Sequence, residues 1–279
     1  FNAISLAAYT VVPAGAEVIM HGTPGGYVYM AGYYAPQIFM RRLLEEKLGI
    51  RMNVVHIGDY KGAGEPFSRD SMSRYLREEL TTFLDDIWND MIDRVPAVRN
   101  VPANQFREKL FNGEYFNLSP AQAKEAGLVD RFALRLDLET QYPTTVTIQQ
   151  YARRHGFKFG TSPIALVIGE GEIVMGSEGG NPLETQNMIA SDSMCRTIRD
   201  AADNPRIKAI VFRINSPGGS PLASELIFQE LKRAARMKPV VASVGGMAAS
   251  GGYYIACGCD AIVADASSLV GSIGVVAVV

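Results

Sequence analysis

The hydrophobic positions of this chain repeat with two different periods, one typical of helices and one typical of buried strands. From Leu76 to Val95 apolar residues recur three or four positions apart, which predicts a long amphipathic helix that begins near Ser73. Ser73 is a suitable N-cap residue, and Pro96 is expected to end the helix because proline cannot donate a helical hydrogen bond.

In the second half of the chain, short apolar runs alternate with helical patterns. The runs predict strands at 164–168, 209–214 and 240–244, and the helical patterns lie at 191–203 and from Ser220 onward. This alternation favours a parallel sheet covered by helices. We therefore expect an α/β fold in which a glycine turn after residue 244 leads into a further helix from about Ser250.

Two shorter patterns give local predictions. Apolar residues on one side of 36–48, followed by Gly49, predict a helix that stops at that glycine. Gly169 and Gly171 follow a predicted strand and resemble the start of a dinucleotide-binding loop. No helical pattern follows them, so we interpret this segment as a hairpin turn and not as a nucleotide site.

The 279 residues are enough for about two domains, at roughly 100–200 residues each. A weak internal repeat aligns 253–274 with 1–22, at an offset of 252 residues. The chain also begins with Phe1 and ends at Val279 inside an apolar stretch. We expect a fragment with two copies of one α/β unit, both truncated, at 1–160 and 161–279, with the boundary in the irregular stretch 131–162.

The composition excludes several classes of protein. Hydrophobic residues make up 47% and charged residues 20%, which is ordinary globular usage and not that of disordered or coiled-coil chains. The net charge is −2, so a nucleic-acid partner is not expected. The three cysteines and three histidines lack zinc-ligand spacing. An uncharged stretch at 239–259 is long enough to span a bilayer, but the glycine pairs at 245–246 and 251–252 favour a strand, a turn and a helix.

Ser250 is the first candidate for chemistry. It lies in a pattern of small residues, with Ala248 before it and Gly252 after it. A serine nucleophile on a tight strand-to-helix turn needs small neighbours, so that its hydroxyl is exposed and the chain can turn sharply. The N–H of Gly251 would be the natural donor to an oxyanion. The alternative is that Ser250 simply caps a helix after a glycine turn.

A second glycine motif, at 215–220, directly follows a predicted buried strand. Ligands bind at the carboxyl ends of strands in open α/β sheets. Gly218 and Gly219 could therefore supply a second oxyanion donor, or hold an acyl or phosphate group. The alternative is an ordinary turn between a strand and a helix.

A serine nucleophile also needs a base, and Lys61 is the candidate. It lies among small residues, including Gly62, Ala63 and Gly64, where a lysine can be desolvated. Its pKa would have to fall from about 10.4 toward 7 for it to act as a base. The alternative is a solvated loop lysine. His21 and His56 are interpreted as structural histidines.

Together these segments resemble a known family. The matching stretches are GDYKGAGEPFSRDSMS at 58–73, IKAIVFRINSPGGSPLASE at 207–225, KPVVASVGGMAASGGYYIA at 238–256 and SLVGSIGVV at 268–276. They are similar to signal peptide peptidase A in its long, internally duplicated bacterial form. That family consists of serine proteases with the ClpP/crotonase fold, so the resemblance implies tandem ClpP/crotonase-like repeats.

The resemblance also implies roles for individual residues. Ser250 would be the nucleophile and Lys61 the general base of a Ser/Lys dyad, and Ser272 would supply a hydroxyl that positions the lysine. Gly218 or Gly219, together with Gly251, would form the oxyanion hole. No metal and no cofactor are implied.

Substrates, partners and location follow from the same resemblance. Family members degrade cleaved signal peptides and other hydrophobic peptides. They assemble into homo-oligomers and are anchored by an N-terminal segment in the cytoplasmic (inner) membrane, with the catalytic part facing away from the cytoplasm. We expect that anchor to be a segment absent from this chain. Two alternatives stay open: a crotonase-type acyl-CoA enzyme, which would not need the dyad, and a non-catalytic assembly module.

Overall fold

The structure is a computed structural model, described here for residues 3–5, 17–99, 101–146, 163–177 and 187–279. It forms two compact units. Unit 1 comprises Phe1–Ala35 and Leu84–Gly156, and unit 2 comprises Pro36–Phe83 and Phe157–Val279. The predicted boundary between two sequence repeats, near residue 160, stays a prediction.

The elements are numbered in chain order. The strands are β1 (Ala3–Ser5), β2 (Ile19–Met20), β3 (Tyr27–Tyr29), β4 (Val54–His56), β5 (Arg131–Phe132), β6 (Ile164–Glu170), β7 (Glu172–Val174), β8 (Met188–Ala190), β9 (Ala209–Ser216), β10 (Val240–Ala249), β11 (Ala261–Val263), β12 (Leu269–Gly271) and β13 (Val276–Val278). The α-helices are α1 (Glu65–Ser68), α2 (Arg74–Arg99), α3 (Ala103–Phe111), α4 (Pro120–Glu125), α5 (Arg135–Gln141), α6 (Ser191–Asp203), α7 (Pro221–Ala235) and α8 (Gly251–Ala256).

Unit 1 packs helices against two short parallel strand pairs, β1 with β3 and β2 with β5. Its helices are α3, α4, α5 and the part of α2 from Leu84 onward. Its core is apolar and includes Met20, Val28, Ile92, Val95, Phe106 and Leu128. Helix α4 begins with a capping box at Ser119, a favourable local start for a short helix.

Helix α2 begins as predicted but ends later. The Ser73 hydroxyl accepts a hydrogen bond from the Leu76 N–H at 3.0 Å, as expected of an N-cap. The helix then continues through Pro96 to Arg99, so the predicted end at Pro96 is wrong. Pro96 is buried, and the Arg99 guanidinium donates to the Gly127 carbonyl. Packing of this last turn outweighs the helix-breaking tendency of proline.

Unit 2 is built on a parallel sheet in the order β11-β10-β9-β6, with β12 also paired to β10. One face of this sheet packs against α6 and α7 through a core that includes Val167, Ile198, Phe212, Ile214, Ile227 and Leu231. The opposite face carries exposed residues such as Leu166. The predicted α/β class, with mostly parallel strands and covering helices, is confirmed.

Strand β10 is longer than predicted. We expected a strand at 240–244 followed by a glycine turn, but the strand continues to Ala249 with an irregularity between Val244 and Ala248. Gly245 and Gly246 therefore form a β-bulge inside the strand, a conformation that glycine accommodates easily. Among the described residues, no helix is both long enough and apolar enough to cross a bilayer.

One other local prediction is wrong, and another is right only in part. Gly171 does adopt a turn conformation, with φ of +99°, but β6 pairs with β9 and β7 pairs with β8, so no hairpin forms. Within 36–48, residues 41–48 are helical, with a π-helical turn at Leu43–Lys47, and the helix stops at Gly49 as predicted. The predicted start is too early, and the Met40 N–H donates to the Pro66 carbonyl at 2.7 Å. In both cases hydrogen bonds to distant segments decide what a short local pattern becomes.

Candidate active site

Ser250 lies at the junction between β10 and α8, in unit 2. Its φ of +52° is rare for a residue with a side chain, so the backbone is strained at this point. The Ser250 N–H donates to the carbonyl of Gly271 at 2.9 Å. Gly252 allows the close packing that this turn requires, because a Cβ there would lie 2.8 Å from the carbonyl oxygen of Ser216. The local structure is that of a tight turn that holds a serine.

Lys61 is buried, with only 6% of its surface exposed. The surrounding glycines permit this burial: a Cβ at Gly62 would lie 3.1 Å from the Leu76 side chain, and one at Gly64 would overlap Val54. Desolvation by burial lowers the pKa of the Lys61 ammonium, and the carboxylate of Glu79 opposes this shift in part. Lys61 is therefore a desolvated lysine and not a solvated loop residue.

Ser272 is the direct hydrogen-bond partner of this lysine. Lys61 Nζ donates to the Ser272 hydroxyl at 3.0 Å and also to the Ser272 carbonyl. Ser272 has a φ of +49° and directly follows Gly271, the last residue of β12. Since β12 pairs with β10, the strand that leads directly into Ser250 also positions the partner of Lys61.

Lys61, Ser250 and Ser272 line one cavity of about 530 Å³, formed entirely by residues of unit 2. The structure thus brings together three residues that are far apart in the sequence. Most of the remaining wall is apolar or aromatic, and includes Pro217, Pro221, Tyr253, Tyr254, Ile273 and Val275. A cavity of this size suits a hydrophobic side chain of a substrate.

The structure distinguishes between the two glycines proposed for the oxyanion hole. The Gly218 N–H donates to the Ser216 hydroxyl at 3.1 Å, and the Gly218 carbonyl accepts from the Ile173 N–H at 2.8 Å. The peptide bond between Gly218 and Gly219 is trans, so the Gly219 N–H points in the opposite direction to the Gly218 carbonyl. It therefore points away from Ile173. Gly219 and Gly251 both line the cavity. The geometry therefore favours Gly219 over Gly218 as the second oxyanion donor beside Gly251.

The profile of peptidase family S49 matches residues 3–148 and 232–279, which is more than half of the chain. The chain belongs to peptidase family S49. The resemblance to signal peptide peptidase A is thereby confirmed at the level of the family.

Several relatives extend the match over most of the S49 chain. It is 35% identical to Protease 4 from Salmonella typhi in an alignment of 275 positions that covers 92% of this chain and 43% of that protein. It is 33% identical to the chloroplastic serine protease SPPA from Arabidopsis thaliana in an alignment of 268 positions that covers 91% of this chain and 39% of that protein. The S49 chain thus spans less than half the length of these relatives.

Solved structures resemble only parts of the S49 chain. A variant of the 1510-N membrane-bound stomatin-specific protease has a TM-score of 0.29 at 24% identity, covering 38% of this chain and 45% of its own. A variant of ClpP1 from Listeria monocytogenes has a TM-score of 0.25 at 21% identity, covering 34% and 46%. The family assignment rests on the sequence matches.

The sequence pattern did not identify every residue near the site. Glu79, whose charge acts on Lys61, lies three positions after Leu76 on helix α2. Leu76 contacts the segment that carries the lysine, so helical spacing could have indicated Glu79. Tyr253, Tyr254 and the exposed Cys257 line the cavity, but nothing in their sequence context distinguished them from ordinary helix residues.

Proposed function

We propose that the protein containing this chain is a serine endopeptidase with a Ser/Lys dyad, which degrades cleaved signal peptides and other hydrophobic peptides at the membrane. In this proposal Ser250 is the nucleophile and Lys61 the general base. The observation that carries it is the shared cavity: a buried lysine, held by Ser272, lines the same 530 Å³ space as a serine on a strained turn.

The hydrogen bonds of Lys61 fit the role of a base. A neutral amine has two hydrogens and one lone pair. The two hydrogens can bind the carbonyl and the hydroxyl of Ser272, which both accept hydrogen bonds from Nζ. The lone pair is then free to accept the proton of the Ser250 hydroxyl. Burial favours this neutral form because it lowers the pKa of the lysine.

The reaction would proceed by acyl transfer. Ser250 Oγ attacks the carbonyl carbon of the scissile peptide while Lys61 takes its proton, and the resulting oxyanion accepts hydrogen bonds from the N–H groups of Gly219 and Gly251. The tetrahedral intermediate then expels the amine, which takes the proton from Lys61, and leaves an acyl-serine. A water molecule, deprotonated by Lys61, hydrolyses that ester and releases the second peptide.

The walls of the cavity support the proposed substrate class. Pro217, Tyr253, Ile273 and Val275 present apolar surface next to Ser250, which suits the hydrophobic side chains of signal peptides. We further propose that the complete protein is anchored in the cytoplasmic (inner) membrane, acts on the side away from the cytoplasm and forms a homo-oligomer. These three proposals rest on the family resemblance, and the similarity to Protease 4 over 92% of this chain supports that resemblance.

The test is peptide hydrolysis by the complete protein, measured with a fluorogenic peptide that has the apolar sequence of a signal peptide. Ser250→Ala and Lys61→Ala should each lower kcat by about 10³-fold or more, because the nucleophile and its base act as a unit. Ser267→Ala and Lys47→Ala are matched controls: each changes an exposed residue of the same type and should retain activity. Turnover close to that of the unmodified protein in either dyad variant would refute the proposal.

The same variants separate the peptidase from its rivals. A crotonase-type enzyme would act on an acyl-CoA thioester and would not depend on both Lys61 and Ser250. An assembly module would turn over neither substrate. Activity on acyl-CoA that survives both substitutions would favour the first rival, and inactivity of the unmodified protein on both substrates would favour the second.

A further inference from the structure

Strand β10 contains a bulge shortly before Ser250. Relative to β9, Val244 lies opposite Ile214, and the next paired residue, Ala248, lies opposite Ser216. Between these two pairs, β10 advances by four residues and β9 by only two. A bulge of this kind redirects the end of a strand, and bulges are over-represented next to active sites.

The neighbour on the other side of β10 also changes at this point. Strand β11 pairs with β10 as far as Ser243, and β12 pairs with it from Met247 onward. Gly245 and Gly246 therefore lie between two partner strands and outside the paired register on both sides. Backbone N–H and C=O groups in such a gap need hydrogen-bond partners other than the neighbouring strands. Without them, the bulge can shift along β10 and change the pairing register.

Two side chains supply hydrogen bonds at this gap. Asn215 Oδ1 accepts a hydrogen bond from the Met247 N–H at 3.1 Å, and the Ser268 hydroxyl donates to the Gly245 carbonyl at 2.6 Å. A Cβ at Gly245 would lie 3.1 Å from the Cβ of Asn215, so the glycine leaves space for the asparagine. One side chain comes from β9 and the other directly precedes β12.

Ser268 thereby connects the bulge to both members of the dyad. It is followed by β12, whose last residue, Gly271, accepts the hydrogen bond of the Ser250 N–H through its carbonyl. The next residue, Ser272, binds Lys61 Nζ. Strand β12 has only three residues, so it has few ladder hydrogen bonds of its own to fix its position along β10.

We propose that Asn215 and Ser268 are positioning residues that fix the bulge of β10 and the register of β12, and thereby set the distance between Ser250 and Lys61. Neither touches the reacting atoms. The inference rests on the proposed function, since it concerns the geometry of that dyad. It predicts that loss of either hydrogen bond lowers the rate of the chemical step more than it lowers substrate binding or stability.

The first test is Ser268→Ala in the complete protein, with the fluorogenic peptide as substrate. We expect kcat to fall on the order of 10- to 100-fold with KM nearly unchanged, because small misplacements of reacting groups have effects of this size. Ser268→Thr keeps the hydroxyl and should restore most of kcat. Ser267→Ala changes the exposed neighbouring serine and should leave kcat unchanged.

The second test uses Asn215. Asn215→Ala should lower kcat in the same way, whereas Asn215→Asp keeps an oxygen acceptor for the Met247 N–H and should retain most of it. Asn204→Ala is the matched control, because Asn204 Oδ1 also accepts a backbone hydrogen bond, from the Arg206 N–H at 3.0 Å, and does not line the cavity. Thermal unfolding of each variant separates a general loss of stability from an effect on the site.

The outcomes are distinct. If Ser268→Ala and Asn215→Ala behave like their controls while Ser250→Ala is inactive, the positioning roles are wrong and the dyad stands. If Ser250→Ala and Lys61→Ala remain active, the proposed function is refuted, and the positioning roles that rest on it are refuted as well. A fall in kcat that Ser268→Thr does not restore, or one that parallels a fall in melting temperature, would identify a structural role and overturn the inference.

Discussion

At the scale of single residues, the site depends on how the environment changes ordinary side chains. Lys61 has a lowered pKa because it is buried, and its Nζ donates to both acceptors of Ser272. The thiol of Cys259 is also affected by burial, which raises its pKa to about 12 and makes it unreactive, whereas Cys257 is exposed in the cavity wall. The same physical cause thus favours the neutral form of both groups.

One prediction at this scale concerns the pH dependence of activity. A lysine base works only when neutral, so kcat/KM should rise with pH through the pKa of Lys61. The negative charge of Glu79 raises that pKa. Glu79→Gln removes the charge, so the rise in kcat/KM should move to lower pH. A pH profile of peptide hydrolysis measures this directly.

Its control is Glu78→Gln, which removes the adjacent charge. Glu78 acts on Tyr60, and Glu79 is the carboxylate that acts on Lys61. The Glu78 variant should keep the pH profile of the unmodified protein. Equal shifts in both variants, or none in Glu79→Gln, would contradict the assignment of Glu79.

At the scale of elements, unit 2 depends on connections between helix ends and strands. The Lys238 ammonium donates hydrogen bonds to three carbonyls at the C-terminal end of α6 and the loop after it, those of Ala201, Asn204 and Ile207, at 3.1, 2.9 and 2.9 Å. These hydrogen bonds connect the loop after α6 to Lys238, which lies two residues before the start of β10. Helix C-termini favour such cations because their last carbonyls lack intrahelical partners.

We therefore predict that Lys238→Met lowers the free energy of unfolding by about 2 kcal/mol, the usual cost of losing hydrogen bonds to a charged group. The measurement is urea unfolding followed by circular dichroism. Lys208→Met is the matched control, because Lys208 makes one comparable bond, to the Pro205 carbonyl at 3.1 Å, and is more exposed. It should cost clearly less, and equal losses would argue against the role of Lys238.

At the scale of the whole molecule, the site joins two distant parts of the chain within unit 2. Strand β4 lies five residues before Lys61, and β13 follows Ser272 after a short turn. The two strands pair antiparallel, with Val55 opposite Ala277. Asn53 and Val279 exchange both backbone hydrogen bonds, at 2.7 and 2.9 Å. This pairing holds the segment of the lysine beside the segment of Ser272.

This pairing gives a prediction with an internal control. Hydrogen-bonded pairs alternate in an antiparallel ladder, so the N–H of Ala277 points into the ladder and that of Val278 points out of it. Ala277→Pro should lower kcat about 100-fold because it releases β4 and misplaces Lys61. Val278→Pro should retain most of the activity. Peptide hydrolysis by the complete protein tests both, and similar losses would contradict the proposed role of the pairing.

Much of unit 2 could be predicted from the sequence because its signals are local. Helix α6 has the predicted bounds, Ser191–Asp203, and helix α7 begins after Ser220, whose hydroxyl accepts the N–H of Ala223. Periodicity and caps act within a few residues, so the sequence alone carries them. Ser250 and Lys61 were recognisable for a similar reason, since each lies among small residues that permit close packing.

Other features were decided only by the tertiary structure. The local patterns around Lys61 and Ser250 did not bring these two residues together, and only the family resemblance implied that they form one site. The sequence also did not indicate that Gly219 lines the cavity while the N–H of Gly218 is bound to Ser216, or that β10 continues through a bulge. Each depends on hydrogen bonds between segments far apart along the chain. Such bonds leave no periodic signal in either segment, because the partner that completes them is brought close only when the sheet forms.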